Sequence, residues 1–142
     1  MAAIDFAIAL AKERTDANLA AFENGADPVA AIIGDCQDYY FSASFDVAMD
    51  VTKSASGDAD LRRQIARAHR EFRSYAENRW VERLVDAGWD ELEARDLIAM
   101  TGSLVRGFAI RAMIKRDRKE FERLMATWRE MVSLYFGHAR RT

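Results

Sequence analysis

The chain has 142 residues and a mass of 16.1 kDa, with half its residues hydrophobic and 31% charged, which suits one packed core and not two. Its 21 basic and 23 acidic side chains leave a formal charge of −2, so the chain as a whole offers no attraction to DNA or to an acidic membrane. Cys36 is the only cysteine, which excludes an internal disulfide and every multi-cysteine metal site.

Seven glycines and one proline punctuate the chain too rarely for many short strands, and the recurrence of Ala, Leu, Arg and Glu predicts an all-α domain of five to six helices. Ile4, Ile8, Ala11, Leu19 and Phe22 fall at helical spacing over about 4–23, with Asn24-Gly25 as a left-handed stop. Asp5 and Lys12 interrupt the apolar residues before a signal-peptide core could form, so the expected location is cytoplasmic.

Asp27-Pro28 pairs an N-cap acceptor with a proline at the first helical position, where its missing N–H costs nothing. The helix that follows runs through Ile32, Ile33, Cys36, Tyr39 and Tyr40. Ser42-Ala43-Ser44 predicts a break near Ser44 before Phe45, Val47, Ala48 and Val51 resume the pattern. Residues 54–58 read as a loop, and Leu61, Ile65, Ala68, Phe72 and Ala76 mark a long helix ending at Gly88. Asp90 with Glu93, and Asp117 with Glu120, are capping-box pairs that open helices over about 91–115 and 118–136, with a frayed tail beyond.

The 91–115 helix carries a core stripe of Leu97, Ile98, Thr101, Leu104, Val105, Phe108, Ala109 and Ala112. Its other side is apolar as well. Ala99, Ser103 and Gly107 form a row of small residues that lets another helix come close, and Met100, Ile110 and Ile114 extend it. The last helix agrees, because Phe121, Leu124, Met125, Trp128, Met131, Val132, Tyr135 and Phe136 make an arc wider than one neighbouring helix uses. These patterns predict a homodimer in which the last two helices and their symmetry copies form a four-helix bundle. The expected interface is Ala99, Ser103, Gly107, Ile110, Ile114, Leu124, Trp128, Met131 and Tyr135.

Catalytic and metal chemistry leave few traces. Neither His69 nor His138 is preceded three residues earlier by a glutamate, which removes the Glu-x-x-His pairs of a helical di-iron centre, and no cofactor is expected. Asp35 with Asp38, and Asp46 with Asp50, have one-face spacings but read better as solvated faces. Cys36 lies on an apolar stripe where an inert thiol is expected, although a pairing with His69 would be the route to an enzyme. Arg62, Arg63, Arg67, Arg70 and Arg73 read as a solvated basic side without groove-reading partners. Tyr39, Tyr40, Phe41 and Phe45, with Phe72, Tyr75 and Trp80, read either as plain core or as an apolar pocket carrying a few polar groups, His69 among them.

The order of these signals resembles the C-terminal domain of TetR-family transcriptional regulators. The likeness covers essentially the whole chain, residues 1–142. It is carried by the Asp-Pro-started helix with its kink, by Gly57-Asp58-Ala59-Asp60-Leu61-Arg62 opening an arginine-rich helix, by Leu104-Val105-Arg106-Gly107-Phe108-Ala109, and by the closing Phe121 to Trp128 stretch. The resemblance implies a domain that binds a small apolar or aromatic effector among its earlier helices and dimerises through its last two. It also implies Tyr40, Phe41, Phe72 and Trp80 as pocket lining, to which the pocket pattern adds His69.

Members of that family begin with a three-helix domain containing a helix-turn-helix, which these residues lack, so no direct nucleic-acid binding by this chain is expected. The expected function is effector sensing and dimerisation within transcriptional regulation. The alternatives are a ligand-free dimerising adaptor and a small enzyme using the same pocket.

Overall fold

A computed structural model describes residues 2–23, 26–54 and 58–136. The Asn24-Gly25 stop, most of the 54–58 loop and the tail beyond Phe136 lie outside the described residues. The described chain is all-α: α1 (Ala2–Ala21), α2 (Pro28–Tyr40), α3 (Ala43–Ser54), α4 (Ala59–Asp86), α5 (Glu91–Ala112) and α6 (Arg118–Phe136). No helix among the described residues is long and apolar enough to cross a membrane.

Side-chain caps set the helix boundaries. Asp27 accepts from the backbone N–H of Val29 at 2.9 Å and of Ala30 at 3.4 Å, with Pro28 opening α2. Asp58, Asp90 and Asp117 accept from the N–H of Leu61, Glu93 and Glu120, which satisfies donors that each first turn leaves without a carbonyl. Helix α2 ends at Tyr40 and α3 begins at Ala43, so the break falls at Phe41-Ser42, just before the expected Ser44. Ser42 accounts for this, since its hydroxyl donates to the Tyr39 carbonyl at 2.7 Å and accepts from the Phe45 N–H at 3.1 Å, closing one helix while starting the next.

The end of α4 requires its glycine. Gly88 has φ +101°, and this turn lets the Trp89 N–H reach the Leu84 carbonyl at 3.0 Å and the Gly88 N–H reach Val85 at 2.9 Å. The reversal folds Trp89 into the core beside Phe136, their ring centroids 5.5 Å apart.

Helix α5 is the spine. It packs on α2, α4 and α6, while α1 lies across α4 and α2 and α3 rests on α4 and α2. Ala94, Leu97, Ile98, Thr101, Val105 and Ala109 bury its inner stripe against Ile32, Ile33, Val81 and Leu84. Long-range polar contacts fix the outer helices. Arg129 of α6 grips the Asp27 carboxylate at 2.7 and 2.9 Å, and the Tyr75 hydroxyl donates to Asp16 at 2.7 Å, tying α4 to α1.

Candidate functional site

Helices α1, α2, α3 and α4 do not close on one another. Between them lies a cavity of about 760 Å³, with a single side chain from α5, Arg106, at its wall. Its surface is mostly apolar: α1 contributes Ile4, Ile8 and Ala11, α3 contributes Phe45 and Met49, and α4 contributes Ile65, Ala68 and Phe72. That volume lies within the range of small-molecule pockets.

Tyr39 and His69 form the main polar feature of the wall. The Tyr39 hydroxyl and Nδ1 of His69 are 2.8 Å apart, and Phe72 packs against the Tyr39 ring with centroids 4.2 Å apart. Burial, and secondarily the charges of Arg106 and Arg73, lower the His69 pKa from 6.5 to about 4, so the imidazole is neutral at pH 7. Its Nε2 is buried with no hydrogen-bond partner, as is Nε of Arg106.

At another part of the wall stands Asp35, which is buried and not on a solvated face as its sequence pattern predicts. Its carboxylate accepts from the Thr15 hydroxyl at 3.1 Å, the Asn18 amide at 2.8 Å and the Trp80 indole at 2.9 Å. Burial raises its pKa, and these three donors oppose the rise. A carboxylate so supplied is internally satisfied.

Of the five residues expected to bind a ligand, His69 and Phe72 line the cavity and three do not. Tyr40 is buried in the core edge-on to Phe45, because it follows Tyr39 on α2 and one helical step of about 100° turns it away. Trp80 is buried with its N–H committed to Asp35. Phe41 packs on Phe121, with ring centroids 5.3 Å apart, in a separate cleft at the α5–α6 turn. Tyr39, Phe45 and Arg106 take their places in the cavity. Arg106 is the residue that sequence reasoning passed over, though a lone cation inside Leu104-Val105-Arg106-Gly107-Phe108-Ala109 was the available signal.

Burial pushes the Cys36 thiol up to about 12, which removes the thiolate a nucleophile needs, and Nδ1 of His69 is engaged by Tyr39. Among the described residues no group of three or more His, Cys, Asp or Glu side chains is placed to hold a metal ion.

On the far side of the molecule, Met125, Val132 and Phe136 of α6 enter the core, and the Trp128 indole donates to the buried Thr101 hydroxyl at 3.0 Å. Trp128 and Leu124 are half-buried, and so are Ala99 and Ile110 of α5. Ser103, Gly107, Met131, Leu134 and Tyr135 are exposed, and Ile114 is 92% exposed. Beyond the backbone of its own helix, no heavy atom lies within 4 Å of where a Gly107 side chain would begin. One copy of the chain therefore leaves this apolar surface uncovered.

Over 112 residues the chain is 29% identical to the HTH-type transcriptional regulator CymR of Pseudomonas putida, a match that takes in 79% of this chain and 55% of that protein. The relationship is a distant homology to a transcriptional regulator. No protein-family model matches the chain, and no solved structure matches it. The chain thus spans about half the length of the relative it matches.

Proposed function

We propose that these 142 residues form the effector-sensing and dimerising part of a TetR-like transcriptional regulator. The observation that carries this reading is the apolar cavity of about 760 Å³ held open between four helices, since a core under no functional demand packs to a density that leaves few voids larger than a water molecule. The similarity to a transcriptional regulator supports the setting, and the uncovered apolar surface of α5 and α6 supports pairing of two copies.

In this reading the ligand acts through α1. That helix supplies one wall of the cavity and is tied to α4 by the Tyr75–Asp16 hydrogen bonds and the Lys12–Glu71 ion pair. A ligand that binds one placement of α1 more tightly than another shifts the population toward it. Contact with DNA falls to a helix-turn-helix outside these residues, whose spacing across the dimer must match the half-sites.

Thermal unfolding against a library of small aromatic and lipophilic compounds tests the proposal. Saturable stabilisation that disappears when Ala68, which is buried at the cavity wall, is replaced by Trp supports sensing. Silence across the library favours a ligand-free adaptor, and turnover of any compound favours an enzyme.

A further inference from the structure

The turn between α5 and α6 carries a charge that the rest of the chain does not. Residues 111–123 hold six basic and three acidic side chains, within a chain whose formal charge is −2. The three acids are already engaged. Asp117 caps α6, Glu120 pairs with Arg111 at 3.1 Å and Glu122 pairs with Arg118 at 3.2 Å. Lys115, Arg116, Lys119 and Arg123 are exposed, and among the described residues their side chains make no ion pair.

Lys115 and Arg116 stand at a cleft of about 330 Å³ shared by α2, α5 and α6, away from the cavity between α1 and α4. Phe41, Phe108 and Phe121 line it and are only half-buried. Phe121 meets Phe41 and Phe108 edge to face, with ring centroids 5.3 and 5.8 Å apart and planes inclined at 64° and 79°. Rings so inclined form a cup and offer no flat platform for stacking nucleic-acid bases. The volume is at the lower limit of small-molecule pockets and suits one inserted side chain. An apolar cup beside unpaired cations is the arrangement of a protein interface, in which an aromatic anchor fills a pocket and rim charges select the partner.

We infer that this cleft docks an acidic segment of a partner protein, with one aromatic side chain entering among Phe41, Phe108 and Phe121 and flanking carboxylates pairing with Lys115 and Arg116. The inference does not depend on the ligand-sensing reading. A second copy of this chain is the poorer occupant, because a two-fold contact centred on the turn sets the same cations against one another.

Titrating the isotope-labelled 142-residue chain with the peptide acetyl-Asp-Glu-Phe-Glu-Asp-amide, followed by backbone amide chemical shifts, tests this. Saturable shifts gather at Phe41, Phe108, Ala112 and Phe121, with a Kd on the order of 0.1–1 mM, the strength of a contact smaller than a standard interface. Replacing the peptide's Phe by Ala, or its acids by Lys, weakens binding about 10-fold or more. Lys115→Glu combined with Arg116→Glu does the same and leaves the helix content unchanged, since both side chains are exposed.

Absence of saturable shifts up to about 5 mM peptide, shifts confined to other parts of the chain, or equal binding of the alanine or lysine peptide overturns the proposal. Tighter binding of a thymidine octanucleotide at the same residues overturns it in favour of a nucleic-acid contact. Loss of peptide binding as the concentration of the chain itself is raised overturns it in favour of a second copy. The peptide comparisons on the unaltered chain decide the matter even where the doubly substituted chain does not fold.

Discussion

The Tyr39 hydroxyl and Nδ1 of His69 lie 2.8 Å apart, and their stacked rings, with centroids separated by 5.6 Å, join α2 to α4 at the cavity wall. In the unfolded chain the imidazole takes its proton near pH 6.5, and in the folded chain only near about 4. Between those values the unfolded state alone binds the proton, so falling pH favours unfolding.

The contribution of His69 is whole above about pH 6.5 and is lost as pH falls towards 4. Because the ring is only half-buried, solvent screening holds this to about 1–2 kcal/mol. Burial of Asp35 works in the opposite sense, its raised pKa favouring the folded state as pH falls. Urea unfolding of the parent and of His69→Asn from pH 4 to 7.5 separates the two. The variant's profile loses the acid limb due to His69, and parallel profiles would show that the imidazole is not held neutral.

Asp35→Asn exchanges a pure acceptor for a group with two donors, facing the Thr15 hydroxyl, the Asn18 amide and the Trp80 indole. At least one donor then meets another donor in a buried site. The expected loss is about 2 kcal/mol of unfolding free energy at neutral pH. A neutral effect would mean that Asp35 is already protonated there.

Thr101→Val keeps the shape of a fully buried side chain and removes the acceptor of the Trp128 N–H. Loss of this link between α5 and α6 costs about 1 kcal/mol. A double-mutant cycle with Trp128→Phe isolates the pair: the second substitution costs little once the first is made, and strict additivity would show that the contact contributes nothing.

Much of the fold was legible because its determinants are local. Asp27-Pro28, Asp90 and Asp117 act within three residues of themselves, and the alternation of Leu97, Ile98, Thr101 and Val105 needs only the helical repeat. The site was less legible because it depends on distances across the chain. Asp35 looks like half of a solvated pair until Thr15, Asn18 and Trp80, which lie 20, 17 and 45 residues away, are brought to it. Tyr39 lines the cavity and Tyr40 does not, a difference of one helical step that no apolar pattern resolves when both neighbours are tyrosines. Arg106 sits among apolar residues, where a periodicity argument discounts the one position that breaks the period.

Pairing of two copies across α5 and α6 is the half of the proposed function that the cavity does not address, and sedimentation equilibrium on the chain and on Gly107→Arg tests it most directly. Beyond the backbone of its own helix nothing lies within 4 Å of the new side chain's first atom, so the single copy has room for the substitution to begin. The account predicts a mass of twice 16.1 kDa for the parent at tens of micromolar and a monomer of unchanged helix content for the variant. A monomeric parent, or a dimer indifferent to arginine at position 107, would contradict it.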